Sequence, residues 1–180
     1  MLTTALELFS RDGYEATTQT AIAERAGLHL QTLIRHFPTK ADIVAGIWQQ
    51  SVEQFETFFL ERESDAISAW RQWVELNAKQ ITQQDHINAS AQSLPILTPE
   101  AQDALSRYRE IIAEGIAEDM GVDPNADIRP MLIACMLFGA NVHVAETWRK
   151  RRFNEEAYIA SLLEVVTTAE EMLAHLFPAK

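Results

Sequence analysis

Residues 18–37 read TQTAIAERAGLHLQTLIRHF, and their pattern decides the fold. Ile22, Ala23 and Ala26, then Leu33 and Phe37, are apolar at helical spacing on either side of one glycine, Gly27. Such spacing is that of helices that each hide one face, and a glycine after the first run supplies the left-handed residue that ends it. Thr17 or Thr18 stands where a side-chain oxygen caps a helix. Phe37-Pro38 closes the second run, because proline restrains its predecessor and cannot continue a helix interior. The segment therefore predicts helix, tight turn and helix, the second from about His29 to His36. In a helix-turn-helix the first helix braces on the DNA backbone and the second enters the major groove. Ile22, Ala23, Ala26, Leu28, Leu33 and Phe37 form the expected inward face.

Working outward, Leu2, Ala5, Leu6 and Phe9 make a preceding helical stripe that stops near Asp12-Gly13. Thr39 followed three residues later by Asp42 is an aspartate variant of the capping box, with negative charge at the positive end of the helix dipole. The helix it opens carries Ile43, Ile47, Trp48, Val52, Phe55 and Phe59 and runs to about Arg62. Further helices are predicted over residues 65–84, 99–120, 127–149 and 154–176, with a short one around 86–93; Pro95, Pro99 and the stretch from Gly121 to Pro124 mark breaks. The fold class is all-α: a three-helix head over residues 1–47 and a larger helical body over 48–180.

The 180 residues carry a net charge of −11, which counts against a polyanion partner until it is divided along the chain. Residues 1–50 hold four basic and five acidic residues, net −1, whereas residues 51–180 hold 11 and 21, net −10. The head is close to neutral and can approach DNA. A 47% hydrophobic composition excludes a disordered chain. One cysteine, Cys135, excludes an intrachain disulfide; in its apolar run it is expected to pack as a small hydrophobe, in a protein of the reducing cytoplasm. That run, Met131 to Ala140, is half a membrane span, so no membrane partner is expected.

The wider segment, TALELFSRDGYEATTQTAIAERAGLHLQTLIRHFPTKADIV, resembles the DNA-binding domain of the tetracycline-repressor (TetR) family of bacterial transcriptional regulators. The resemblance rests on ALELF with its following DGYEATT, on IAERAG, on TL.RHF and on PTKADI, and covers about residues 3–47. It implies a homodimer with two reading heads on a pseudo-palindromic site in double-stranded DNA, and a helical body that dimerises and encloses a small-molecule effector. Where members commonly show a small polar residue, a lysine and a glycine, this chain has His29, Leu30 and Gln31; where a tyrosine commonly contacts phosphate it has Ile34. Many relatives also carry basic residues before the first helix, and a head that begins at MLTTALELF is expected to steer DNA only modestly.

His29 and Gln31 are the expected base-edge readers, since the start of a recognition helix points into the groove and glutamine matches adenine's edge. Leu30 and Ile34, four apart, are expected on the groove side, where they can meet thymine methyl groups but cannot replace a phosphate hydrogen bond. The resemblance assigns Thr32 to a base or phosphate and His36 to supporting a phosphate contact. Arg35 and Lys40 are expected at the DNA backbone, Lys40 beside the first turn of the fourth helix.

In the body, Trp70, Trp73, Asn77, His86, Met136, Phe138, Asn141 and His143 are candidates for an apolar effector pocket with a few orienting groups. Core packing is the competing role for the tryptophans, Phe138, Asn141 and His143. Leu132, Gly139 and Val142 in one helix, and Leu162, Val166 and Leu173 in the last, are the expected dimer contacts, in what the family builds as a four-helix interface. RKRR at 149–152 suits a helix C-terminus better than a nucleic-acid tag. No phosphate loop, dinucleotide fingerprint or metal-ligand spacing appears, so no cofactor, no metal and no enzyme are expected. The reading is a DNA-binding repressor released by a small, mostly apolar effector. Its alternative is a helical ligand sensor or interaction protein with weak or lost DNA binding.

Overall fold

The computed structural model describes residues 1–83, 99–151 and 155–176. Eight helices lie among them: α1 (Leu2–Asp12), α2 (Gln19–Arg25), α3 (Leu30–His36), α4 (Lys40–Leu60), α5 (Ala66–Gln83), α6 (Pro99–Met120), α7 (Arg129–Arg151) and α8 (Glu155–Leu176). The short helix expected around 86–93 lies outside the described residues. The contacts group the chain into two compact units, Met1–Glu53 with Ile81–Leu105, and Gln54–Gln80 with Ser106–Lys180.

Local chemistry sets the boundaries in the first unit. Gly13 closes α1 at φ 88° and ψ 151°, a region open essentially to glycine alone, and its amide bonds Phe9's carbonyl at 3.0 Å. The buried Thr17 hydroxyl reaches the carbonyls of Gly13 (2.8 Å) and Leu8 (3.2 Å), pinning the turn to α1. Thr18 is the cap of α2, accepting from the Ala21 amide at 3.1 Å. At the other end Gly27, at φ 66°, lets the Leu28 amide reach back to Ala23 (2.9 Å) and its own to Glu24 (3.1 Å). This paired bonding satisfies α2's last carbonyls and turns the chain into α3. The capping box at α4 is complete: Asp42 Oδ2 accepts from the Thr39 amide and hydroxyl, both at 2.8 Å, and the Asp42 amide donates to Thr39 Oγ1 at 3.2 Å.

Ile22, Ala23 and Leu33 are buried with Ala5, Leu8 and Phe9. Two expectations change. In α1 the buried stripe uses Leu8, while Leu2 and Leu6 are half-buried. Leu28 is 39% exposed, because the Gly27 turn fixes its backbone and leaves the side chain outside. All six apolar residues named for α4 are buried, as its 3.6-residue period requires.

The second unit is built around stacked aromatics. Phe55 lies 4.9 Å from Tyr108, which lies 5.3 Å from Phe138, both pairs stacked; Trp70 meets Phe55 edge-on at 5.6 Å. Gly115 lets α6 approach α4 there, since a Cβ at that position would sit 2.5 Å from Phe59. The first amides of α5 find carboxylates: Asp119 accepts from Ala66 at 2.6 Å, and Asp65 from Ile67 and Ser68 at 3.1 and 2.9 Å. Burial pushes the Asp65 carboxyl up, but these bonds with the Ser68 hydroxyl outweigh it and hold it below its usual range. Among the described residues no helix is long and apolar enough to cross a membrane.

Candidate nucleic-acid interface and effector core

The turn between α2 and α3 decides what α3 can present. Gln19 at the start of α2 donates to the carbonyl of Phe37, just after α3, at 2.8 Å, so the two short helices are tied at their far ends as well as through Gly27. Within α3 only Leu33 is buried; Leu30, Gln31, Ile34, Arg35 and His36 are exposed, and Thr32 is half-buried. His29, exposed at the cap position, makes no capping bond and leaves its imidazole outward. Seven of the eight candidate DNA contacts are therefore brought onto one short element and its cap.

The eighth is placed differently. The Lys40 ammonium donates to the carbonyls of Tyr14 (2.7 Å) and Glu15 (3.3 Å) and lies 4.5 Å from the centre of the Tyr14 ring. Its charge holds the α1–α2 turn onto the start of α4, a structural duty that the sequence pattern gave no hint of. Arg11 pairs with Asp12 at 2.7 Å. Arg25 and Arg35 are exposed and have no ion-pair partner among the described residues.

In the second unit, burial sorts the effector candidates. Trp70 Nε1 donates to Asn141 Oδ1, and Asn141 Nδ2 donates to the Leu162 carbonyl, both at 3.0 Å. Asn141 thus bridges α5, α7 and α8 and serves the core. Phe138 is buried between Trp70 and Tyr108. Trp73 is also buried, yet its Nε1 has no hydrogen-bond partner among the described residues; Asn77, one turn on, donates to Trp73's carbonyl at 2.8 Å. His86 lies outside the described residues.

Met136 and His143, expected in the effector pocket, are both exposed, on the outer side of α7. The inner stripe of α7 is Ala134, Leu137, Phe138, Asn141 and Ala145; two residues on from a buried position is about 200° around the helix, which carries Met136 and His143 outward with Leu132 and Gly139. Cys135 shares that exposed side instead of packing inside. Val142 and Leu173 are half-buried. Leu162 and Val166, expected at the dimer contact, are buried in the chain's own core, with 5% and 0% exposure. Between the outer sides of α7 and α8 runs a groove of about 510 Å³ lined by Met136, Ala140, Val144, Val165, Thr168 and Met172 among others.

Known proteins share this architecture. Residues 1–47 match the family model of bacterial regulatory proteins of the TetR family, and residues 90–175 that of the MftR C-terminal domain. FadR from Bacillus subtilis, in complex with stearoyl-CoA, is 20% identical with a TM-score of 0.64, over 93% of this chain and 96% of that one. FadR from Thermus thermophilus, in complex with lauroyl-CoA, is 18% identical (TM-score 0.62; 99% and 94% covered). SmeT, the repressor of the Stenotrophomonas maltophilia multidrug efflux pump SmeDEF, is 16% identical (TM-score 0.70; 95% and 87%). No curated protein is significantly similar in sequence. An exposed second helix on a glycine-turned pair, followed by a larger helical part, defines a helix-turn-helix regulator. The chain belongs to the TetR family of bacterial regulatory proteins.

Proposed function

We propose that the chain is a dimeric transcriptional repressor of the bacterial cytoplasm, which holds a pseudo-palindromic DNA site and releases it when a small, mostly apolar effector binds. Residues 1–47, the limits of the family match, form the reading head, and 48–180 the effector-binding and dimerising body. The observation that carries the reading is the exposure of α3, whose single buried residue is Leu33. Gln31 and His29 read base edges, while Arg35, Thr32 and His36 meet the DNA backbone. Lys40 acts through the turn it holds.

The dimer face is the outer side of α7 and α8, where Leu132, Met136, Gly139, Val142 and Met172 offer apolar surface that a second copy would cover. The effector binds beside Trp73, whose buried N–H has no partner among the described residues, with Asn77 one turn away. Release follows if the effector binds the DNA-incompetent state more tightly, since only differential affinity shifts a population. The FadR neighbours' ligands, stearoyl-CoA and lauroyl-CoA, join a long apolar acyl chain to a charged coenzyme A part, so only the acyl chain matches the apolar effector proposed for this chain.

Selection of duplexes from a random pool by the purified protein, followed by competition at two salt concentrations, tests the reading. It expects a reproducible palindrome. Arg35→Ala should weaken binding to all sequences alike, and Gln31→Ala should change base preference. Weak binding with no sequence preference at either salt would favour the helical sensor with lost DNA binding.

A further inference from the structure

Leu28, Leu30 and Ile34 are 39%, 37% and 41% exposed, three large apolar side chains within seven residues of the reading segment. A single exposed leucine is unremarkable in any soluble protein. Here, however, Leu30 and Ile34 are four apart in α3 and share one face, so they form a short apolar row. Gln31 lies three residues before Ile34, on the flank of the same row. We infer, resting on the DNA-binding reading above, that α3 reads its half-site through thymine 5-methyl groups, with Leu30 and Ile34 as the specificity-determining contacts and Gln31 on an adjoining adenine.

The chemistry of the major groove makes these choices cohere. Of the four bases only thymine offers an apolar group there, its C5-methyl; adenine offers the N7 and N6 pair that a glutamine amide matches in two hydrogen bonds. An A·T pair displays both at once. Leu30 and Ile34 are separated by about 6 Å along the helix axis, close to two base steps of about 3.4 Å. A helix lying along the groove therefore places them on pairs two steps apart, with Gln31 between. The half-site core is expected to be rich in A·T pairs, with thymines at two positions separated by one pair.

The test uses the full-length protein and a fluorescein-labelled duplex carrying the selected palindrome, with each thymine replaced in turn by deoxyuridine. Deoxyuridine pairs as thymine does and lacks only the methyl group, so base-pair hydrogen bonding is unchanged. Loss of a buried methyl should raise Kd about fourfold per contact, and about fifteenfold when made in both half-sites. Leu30→Ala and Ile34→Ala should each weaken binding to the thymine duplex and abolish the thymine-to-deoxyuridine difference at one position. Gln31→Ala should leave that ratio intact. Thermal unfolding of the variants, expected to match that of the parent because both side chains are exposed, separates contact loss from misfolding.

Specific binding that changes less than 1.5-fold at every substituted thymine would overturn the inference while leaving the repressor reading in place. A persisting difference in both the Leu30 and Ile34 variants would overturn the assignment to these residues. Failure to select any sequence would remove both readings together.

Discussion

Helix α3 and the aromatic core of the second unit use residue types against expectation, in opposite directions. In α3 a leucine and an isoleucine lie outside, where composition alone would hide them. In the core, the indole N–H of Trp70 donates to the buried Asn141 amide, which in turn donates to Leu162's carbonyl. Burial and hydrogen-bond partners, more than side-chain type, separate a contact made to another molecule from one made within the chain. The two regions should therefore respond to substitution differently.

The largest effect is expected at Phe55, fully buried against Phe59, Trp70, Trp73 and Tyr108. Phe55→Ala should cost about 3–5 kcal/mol in urea unfolding; a loss below about 1 kcal/mol would mean that the core is loosely packed and the comparison fails on its inner side. Asn141→Ala strands the buried Trp70 donor and removes a second bond to the Leu162 carbonyl, and should cost about 1–3 kcal/mol. If that variant kept its stability but lost its response to effector, Asn141 would be a ligand contact after all.

On the outer side, Leu30→Ala should change unfolding by about 0.5 kcal/mol or less, as surface substitutions do. A cost of about 2 kcal/mol would place Leu30 in the core. The smallest effect concerns acid. Hydrogen bonds from the Arg129 side chain and amide hold Asp127 down at about 2, below its ordinary value of 3.8. Its ionised form is favoured in the folded chain, so its contribution is complete above pH about 4 and fades as pH falls towards 2. Asp127→Asn should flatten that part of the unfolding midpoint measured between pH 2 and 5; an unchanged slope would show that the pair adds nothing.

The helices were legible because their signals are local. Thr18, Gly27 and the Thr39–Asp42 pair act within four residues of themselves, and each does in the structure what its chemistry predicts. The α4 stripe was legible for the same reason, one helical period repeated over five turns. The orientation of α7 was less so. Its apolar residues go nearly all round, and which stripe turns inward is decided by Trp70 and by Leu162's carbonyl, far away in sequence. Met136 and His143 were thus expected inside, and Leu162 and Val166 at a partner. Lys40 shows the same limit: the Tyr14 and Glu15 carbonyls that hold it lie 26 and 25 residues upstream.

The anchoring of Lys40 bears on how this regulator would fare in a cell whose salt content changes. The Lys40 ammonium keeps its charge but is held on the Tyr14 and Glu15 carbonyls, and Arg11 faces Asp12. Arg25 and Arg35 are the exposed arginines of residues 1–47 without an ion-pair partner among the described residues; if both meet phosphate in each copy of a dimer, about four contacts correspond to a salt slope of about −3.6 at roughly −0.9 per phosphate neutralised. A threefold rise in potassium would then weaken the complex about fiftyfold, against about 60,000-fold for a protein with a slope near −10. Under osmotic stress, repression by this chain would outlast that of more basic regulators in the same cell.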